Sequence, residues 1–230
     1  IQYSSMKYFF LAVASILLVY SVVTFPFEIP DENAHYSSIN FLNYMGRMPI
    51  MRDKDNLSIE ELETEKIFGI VEGQNKYSYH PDFRMEYLPG LVGKYENEIK
   101  QLNTDSNRKT FSTYQAATYP PLYYRLSLPF YRFVGNSDIL TRVFVTRLSS
   151  VILTGITIVV AYYLGLLVFS SKSYAVTLAF MTLFFPMTAY VGSGVNSDNL
   201  HNLLFGVASL LSLKLIRDGW SRNLSLYIGI

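Results

Sequence analysis

Carboxylates stand unusually close to an apolar segment near the amino terminus. The run Pro30-Asp31-Glu32-Asn33-Ala34-His35 follows shortly after the apolar stretch Tyr8 to Phe25. Because charged groups are costly in hydrocarbon, carboxylates placed there suggest a functional role, and we interpret one of them as a general base at the outer membrane surface. On a helix, Asp31 and His35 share one face, and Glu32 and His35 are also neighbours. The alternative is that the acidic residues only cap a helix.

A metal site is a second alternative for the same residues. Glu32 and His35 have the Glu-x-x-His spacing that binds metal in helical bundles. Such a site needs further ligands, and the other outer candidates are His80, Asp82, Asp198 and His201. We therefore expect no cofactor, with a divalent metal as the less favoured interpretation.

The composition is that of a membrane protein. The chain has 230 residues, of which 50% are hydrophobic and 16% charged, against roughly 25% charged in ordinary globular chains. The net charge of +1 gives no reason to expect a nucleic-acid partner. Cysteine is absent, which excludes disulfides and thiolate chemistry in this sequence. Glycine-rich nucleotide motifs and zinc-spaced Cys/His sets are also missing.

Four apolar stretches approach the length of about 20 residues that a membrane-spanning helix needs. They are Tyr8 to Phe25, Leu148 to Phe169, Tyr174 to Tyr190 with Pro186 inside it, and Leu200 to Ile216. A fifth begins near Leu224. We therefore predict a first span in residues 1–25, a large loop in 26–138, and further spans in 139–230. Because the chain begins at Ile1 and ends inside an apolar run, we expect a fragment of a longer protein.

Basic residues predict the orientation. Lys7, Lys172 and the group Lys214, Arg217 and Arg222 fall on one side of the membrane if each stretch is a span. The positive-inside rule makes that side cytoplasmic. The amino terminus is then cytoplasmic, and residues 26–138 and 191–199 lie outside.

The outer loop carries helix signals. Asp31 to Met45 has helical spacing of apolar residues, with Asp31 as a cap and Gly46 at the end. Ser58 and Glu61 form a capping box that opens a helix to about Phe68. Leu122 to Val134 is a third helix, rich in Tyr and Phe, which we expect in or near the membrane interface. Residues 69–113 have no clear pattern.

Two clusters could bind phosphate. In Tyr119-Pro120-Pro121-Leu122-Tyr123-Tyr124-Arg125 the prolines start a helix, whose free N–H groups attract anions. A rigid membrane-entry turn with aromatic anchors is the equally favoured alternative. Arg142 and Arg147 precede the second span, and guanidinium groups bind phosphate as a fork. The alternative for both is snorkelling toward lipid headgroups, which we favour for Arg142, whereas phosphate binding is favoured for Arg147.

The outer turn Gly192 to Asn199 supplies two more polar candidates. Asn196 could hydrogen-bond a sugar, and Asp198 could cap the next helix. The complete set of predicted substrate-binding residues is His35, Tyr119, Tyr123, Arg125, Arg142, Arg147, Asn196 and Asp198.

The order of these motifs resembles the amino-terminal part of GT-C glycosyltransferases, closest to bacterial protein-mannosyltransferase-like and aminoarabinose-transferase-like enzymes and to a group of bacterial membrane proteins in the same clan. The resemblance implies an all-α polytopic membrane protein, with a GT-C-like transmembrane helix bundle and a large helical first extracytoplasmic loop. It implies Asp31 as catalytic base, with Glu32 as second choice, and the Pro-Pro run and Arg147 near the donor phosphate. Many relatives have Lys or His where this chain has Tyr119.

The resemblance also implies the partners. The donor would be a polyprenyl-phosphate-linked sugar, and the acceptor a glycan, lipid or protein, at the outer face of a bacterial plasma membrane. Two other classes stay open. A transporter or flippase of lipid-linked sugars predicts broken helices or ionisable residues within the spans. A non-catalytic scaffold or sensor predicts no cavity between Asp31 and the membrane edge.

Overall fold

The computed structural model describes residues 2–68, 88–113 and 119–219. Within these ranges the chain is mostly helical, with one pair of very short strands. The elements are α1 (Gln2–Val23), α2 (Glu32–Met45), β1 (Leu57–Ser58), α3 (Ile59–Ile67), α4 (Pro89–Leu102), α5 (Asp105–Lys109), β2 (Phe111–Thr113), α6 (Leu122–Phe133), α7 (Ile139–Phe169), α8 (Lys172–Phe184), α9 (Pro186–Gly192) and α10 (Asp198–Asp218).

The fold divides into two compact units. The span unit comprises the described residues of 1–21, 150–194 and 198–230, and the loop unit those of 22–149 and 195–197. The loop unit therefore contains the first turns of α7 and the short segment Val195–Ser197 in addition to the predicted loop. The sequence alone gave no reason to place that short segment with the loop.

Small residues allow close helix packing in the span unit. Phe9, Val13 and Leu17 of α1 share one buried core with residues of α7 and α8. A Cβ built on Gly165 of α7 would lie 2.6 Å from the Cα of Ala175 in α8, so only glycine fits there. Close backbone approach through small residues is typical of helix pairs in membranes.

The lengths of the apolar helices can be compared with the predicted membrane spans. Among the described residues, α7 and α10 are long and apolar enough to cross a membrane. The pair α8 and α9 reaches that length only together, across a bend of 64°. The apolar part of α1, Tyr8–Val23, is shorter than the spans in α7 and α10. The predicted start of a fifth span, near Leu224, lies outside the described residues.

Parallel packing of α2 on α6 organises the loop unit. Nδ1 of His35 lies 2.8 Å from the Tyr124 hydroxyl, and the Tyr131 hydroxyl donates to Oδ1 of Asn40 at 2.7 Å. Because the contacts advance along both helices in the same direction, the amino termini of α2 and α6 lie at the same end. Both helices match their predicted ranges to within about one residue.

Other loop predictions had mixed outcomes. The Ser58 hydroxyl accepts from the Glu61 amide at 3.3 Å, which confirms the Ser58 half of the predicted capping box, whereas the Glu61 carboxylate makes no hydrogen bond to Ser58 in return. Residues 69–113 contain α4, α5 and β2, which the sequence pattern did not reveal. β2 pairs antiparallel with β1. The loop unit therefore contains a short two-stranded sheet, whereas the prediction was an all-α fold. The polar composition of α5 and the three-residue length of β2 explain why neither was recognised.

Candidate functional site

Asp31 displays its carboxylate at the start of α2. Its backbone is left-handed, with φ 60° and ψ 8°, and its carbonyl accepts from the His35 amide at 3.0 Å. Asp31 occupies the predicted N-cap position, but its side chain is exposed and makes no capping hydrogen bond. Left-handed backbone is uncommon outside glycine, although Asp and Asn tolerate it. Strained positions of this kind cluster at functional sites.

The next residue, Glu32, is a buried anchor. Its side chain is 0% exposed. Oε1 accepts from Nε of Arg147 at 2.7 Å and from the Val195 amide at 2.9 Å. Oε2 accepts from Nη2 of Arg147 at 2.7 Å and from the Phe27 amide at 2.8 Å. Both oxygens are therefore engaged within the protein, and the structure gives no support to Glu32 as the second-choice base.

Arg147 completes this anchor from α7. Besides Glu32, it donates through Nη1 to the Thr24 carbonyl at 2.7 Å and through Nη2 to the Phe25 carbonyl at 2.9 Å. The side chain is 2% exposed. Its guanidinium fork therefore binds a carboxylate and two carbonyls of the loop unit. Phosphate binding by this fork was the favoured prediction, but the fork is not presented to a ligand phosphate. The side chain does not snorkel toward lipid headgroups either.

Arg142 makes a second buried ion pair. Nη2 bonds Oε2 of Glu60, Nη1 donates to the Tyr131 hydroxyl at 2.9 Å, and Nε donates to the Ser137 carbonyl at 3.0 Å. The side chain is 0% exposed. Snorkelling was favoured for Arg142 and is wrong, because a buried carboxylate competes successfully for the guanidinium. Phosphate binding by Arg142 is equally unsupported.

The carboxylate of this pair belongs to a cluster of buried carboxylates on α3. Glu60, Glu61 and Glu65 are all buried. Burial raises the pKa of Glu60 and raises that of Glu61 well above its usual value, and Glu65 adds like charge near Glu61. Among the described residues, neither Oε1 nor Oε2 of Glu61 has a hydrogen-bond partner, and nor does the Tyr36 hydroxyl. Glu61 is therefore the least compensated carboxylate among the described residues.

Glu61→Gln is expected to raise the midpoint of thermal unfolding by a few degrees at pH 7. A carboxyl whose pKa is raised by folding stabilises below its unfolded pKa, and that stabilisation is lost as the pH rises through the folded value. The amide cannot ionise, so the variant also loses this pH dependence. Melts in detergent at several pH values test this. Glu63→Gln, at a partly exposed site on the same helix, serves as control, and a lower midpoint for Glu61→Gln at pH 7 would contradict the argument.

His35 is enclosed by tyrosines from the start of α6. Its ring centroid lies 4.6 Å from that of Tyr119, 6.5 Å from Tyr123 and 6.0 Å from Tyr124. Burial lowers the pKa of His35 to about 4, so the ring is neutral at pH 7. His35 can therefore exchange hydrogen bonds but supplies no positive charge to a phosphate.

The aromatic face of α6 differs from the prediction. Tyr123, Tyr124 and Tyr131 are buried in the loop unit, and the exposed apolar side chains of α6 are instead Leu122, Leu126 and Phe133. Arg125, next to Tyr124, is exposed. It is the predicted phosphate ligand whose guanidinium remains accessible, whereas Arg142 and Arg147 are buried.

Two residues of the outer turn fall in different units. Asn196 is buried in the loop unit, where Nδ2 donates to the Pro30 carbonyl at 3.2 Å. It therefore braces the residue before Asp31. Asp198 is exposed at the start of α10 and belongs to the span unit. The loop unit thus contains all the other predicted site residues, namely Asp31, Glu32, His35, Tyr119, Tyr123, Arg125, Arg142, Arg147 and Asn196.

The proposed metal ligands do not assemble among the described residues. No group of three or more His, Cys, Asp or Glu side chains in those ranges could hold a metal ion. His80 and Asp82 lie outside the described residues.

Similarity to known sequences identifies the family. No curated protein and no solved structure matches the chain. A family model described as "Predicted membrane protein (DUF2142)" matches residues 14–228. That description agrees with the helices able to span a membrane in the span unit. Because the match covers most of the chain, this protein belongs to the DUF2142 family of predicted membrane proteins.

Proposed function

We propose that this protein is an integral-membrane glycosyltransferase of the GT-C type. It would move a sugar from a polyprenyl-phosphate donor to an acceptor hydroxyl, with Asp31 as general base. The observation that carries the proposal is the exposed, uncapped carboxylate of Asp31 on a left-handed backbone. A residue that served only as a helix cap would bond the helix amides instead.

The neighbours of Asp31 support a positioned base. Glu32, which follows it, is held by Arg147, Phe27 and Val195, and the Pro30 carbonyl before it accepts from Asn196. A catalytic group is effective when its supporting residues are fixed by packing and hydrogen bonds. The buried anchor thus gives the Glu32–Arg147 pair a positioning role, in place of the base role suggested for Glu32 and the phosphate-binding role suggested for Arg147.

The donor phosphate requires positive charge near this carboxylate. Of the predicted phosphate ligands, Arg142 and Arg147 are committed to buried carboxylates, whereas Arg125 is exposed and the amino terminus of α6 lies nearby in sequence. Because α2 and α6 are parallel, that terminus lies at the same end as Asp31. Tyr119 stands there beside neutral His35 and can donate one hydrogen bond. We therefore assign the phosphate to Arg125 and the Tyr119–Pro121 turn.

The reaction follows from these assignments. Asp31 accepts the proton of the acceptor hydroxyl as its oxygen bonds the anomeric carbon. The bond from that carbon to the phosphate oxygen breaks, and polyprenyl phosphate leaves with its negative charge stabilised by Arg125. In-line attack inverts the anomeric centre. The site would face the outside of a bacterial plasma membrane, with the amino terminus cytoplasmic and the acceptor a glycan, lipid or protein.

Asp31→Asn is expected to reduce transfer by about 10²-fold or more, the usual contribution of a general base. Asn tolerates left-handed backbone as Asp does, so the variant should fold and insert normally. The measurement is transfer from labelled polyprenyl-phosphate sugars to candidate acceptors by the full-length protein in liposomes. Asp55→Asn removes an exposed carboxylate elsewhere in the loop unit and should have no effect. Transfer by Asp31→Asn within a few-fold of the parent would end the assignment.

One observation favours a transporter or flippase of lipid-linked sugars as the second candidate. The pair α8 and α9 bends by 64° at Phe185–Pro186. Broken spanning helices are typical of substrate sites in transporters. Liposomes that move a labelled lipid-linked sugar between leaflets without any acceptor would favour this class, and transfer abolished by Asp31→Asn would favour the enzyme.

A further inference from the structure

A cavity of about 580 Å³ lies in the span unit between α7, α8, α9 and α10. It adjoins the bend between α8 and α9, where Pro186 has no N–H to continue the helix. A cavity of this volume has room for many water molecules. That is too large for a single ion and falls in the range of small-molecule sites.

The polar part of the lining offers both acceptors and donors, because the His201 ring and the Asn202 side-chain amide line the cavity together with threonines and Asp198. The Thr157 hydroxyl donates to the Leu153 carbonyl at 3.0 Å, and the Thr182 hydroxyl donates to the Leu178 carbonyl at 2.9 Å. Each threonine has used its proton within its own helix and offers only lone pairs to a ligand. Asp198, the only carboxylate in this lining, is also an acceptor when ionised. A ligand must therefore bring donors for these acceptors, and groups that can also accept from Asn202 and His201 fit the rest of the polar lining.

Hydrogen bonds from α7 and α10 to α9 fix one wall of the cavity. The Thr154 hydroxyl donates to the Gly192 carbonyl at 3.1 Å, and Nδ2 of Asn199 donates to the Val191 carbonyl at 3.0 Å. A Cβ on Gly192 would lie 2.7 Å from Cγ2 of Thr154, so this approach requires glycine. The cavity is therefore preformed, as ligand sites usually are.

Apolar surface shares the lining with these acceptors. The side chains of Phe185 and Met187 are 61% and 50% exposed, which leaves them available to a ligand. A sugar ring combines hydroxyl donors at its edge with apolar C–H groups on its face. A compact ammonium group would meet the carboxylate of Asp198 but leave most of the cavity empty.

We propose that this cavity binds a neutral, hydroxyl-rich group of about one or two sugar rings, with Thr157, Thr182 and Asp198 as acceptors. The group could be a free sugar or the headgroup of a glycolipid, because both present the same hydroxyls. The inference does not depend on glycosyl transfer by Asp31, which lies in the other unit, so either proposal can fail while the other stands.

Equilibrium binding to the full-length protein in phosphatidylcholine nanodiscs tests the site. The free-sugar probes are radiolabelled methyl β-glucoside and methyl α-mannoside, and the lipid probe is monoglucosyl diacylglycerol. Thr182→Val keeps the side-chain shape but removes the acceptor, so the dissociation constant should rise about 2- to 12-fold. Thr177→Val is the matched control, since Thr177 makes the same bond within α8, to the Ser173 carbonyl, but does not line the cavity.

The outcomes separate the sources of the ligand. Weakened binding of the methyl glycosides by Thr182→Val assigns the site to a free sugar. Weakening that occurs only with monoglucosyl diacylglycerol assigns it to a lipid headgroup. The proposal is overturned if no probe binds, if Thr182→Val binds as the parent does, or if Thr177→Val weakens binding equally. Preferential binding of radiolabelled ethanolamine would also overturn it in favour of a cation.

Discussion

Arg147→Ala is expected to destabilise the loop unit by about 3–5 kcal/mol. The substitution leaves the Glu32 carboxylate buried with its counter-charge removed, and it removes the donors to the Thr24 and Phe25 carbonyls. Removing one partner of a buried ion pair costs more than the pair contributes, because the other charge stays desolvated. The free energy of unfolding in detergent, from chemical denaturation, is the measurement.

A double substitution separates the charge from the packing. Arg147→Met with Glu32→Met removes both charges and should recover much of the loss of stability. Arg132→Ala is the control, since that exposed arginine bonds only a side chain, Oδ1 of Asn43, at 2.9 Å in the described contacts. Arg147→Ala within about 1 kcal/mol of the parent would show that the pair is not the anchor inferred for Asp31.

Local signals predicted α2, α3 and α6 of the loop unit because the causes of these helices lie within a few residues, whereas α4 and α5 were not recognised. Ser58 caps α3 through an amide three residues ahead, and Gly46 ends α2 with φ 69°. The span in α7 was likewise visible as a long apolar run. Its extra turns at Ile139 were missed because Arg142 and Arg147 interrupt the hydropathy there.

Partner choice could not be predicted from the sequence. Glu32 and Arg147 are separated by 115 positions, and Glu60 and Arg142 by 82. Each residue alone fits a surface role, as a cap or a lipid-facing cation, and nothing local distinguishes that role from a buried pair. Asp31 and Glu32 had equal claims as bases by spacing, and only tertiary burial shows which carboxylate stays accessible.

The bend at Pro186 was visible in the sequence, but its consequence was not. Proline inside an apolar stretch predicts a kink. Whether the kink closes over its own polar groups or opens a cavity depends on the helices packed beside it. Thr154 and Asn199, on α7 and α10, hold the α9 side of that cavity through the carbonyls of Gly192 and Val191.

Arg142→Met is expected to cost about 3–5 kcal/mol of unfolding free energy at pH 7, and this loss should shrink as the pH falls. Arg142 is the cation that bonds Glu60. The same helix, α3, also carries the buried carboxylates Glu61 and Glu65. Burial already raises the pKa values of Glu60 and Glu61, and loss of the nearby cation raises them further. As the pH falls, these carboxylates are therefore protonated at a higher pH in the variant than in the parent. Protonation removes their uncompensated negative charge, so acid stabilises the variant relative to the parent.

Parallel denaturation series at pH 7 and pH 5 measure this difference for the parent and the variant. Tyr36 and Tyr131, the other titratable groups facing Arg142, have pKa values raised by burial and stay neutral throughout this range. Arg132→Met, which lies at the surface of α6, should show a small loss that does not change with pH. A loss for Arg142→Met that stays constant or grows toward pH 5 would mean that the carboxylates of α3 do not depend on this cation.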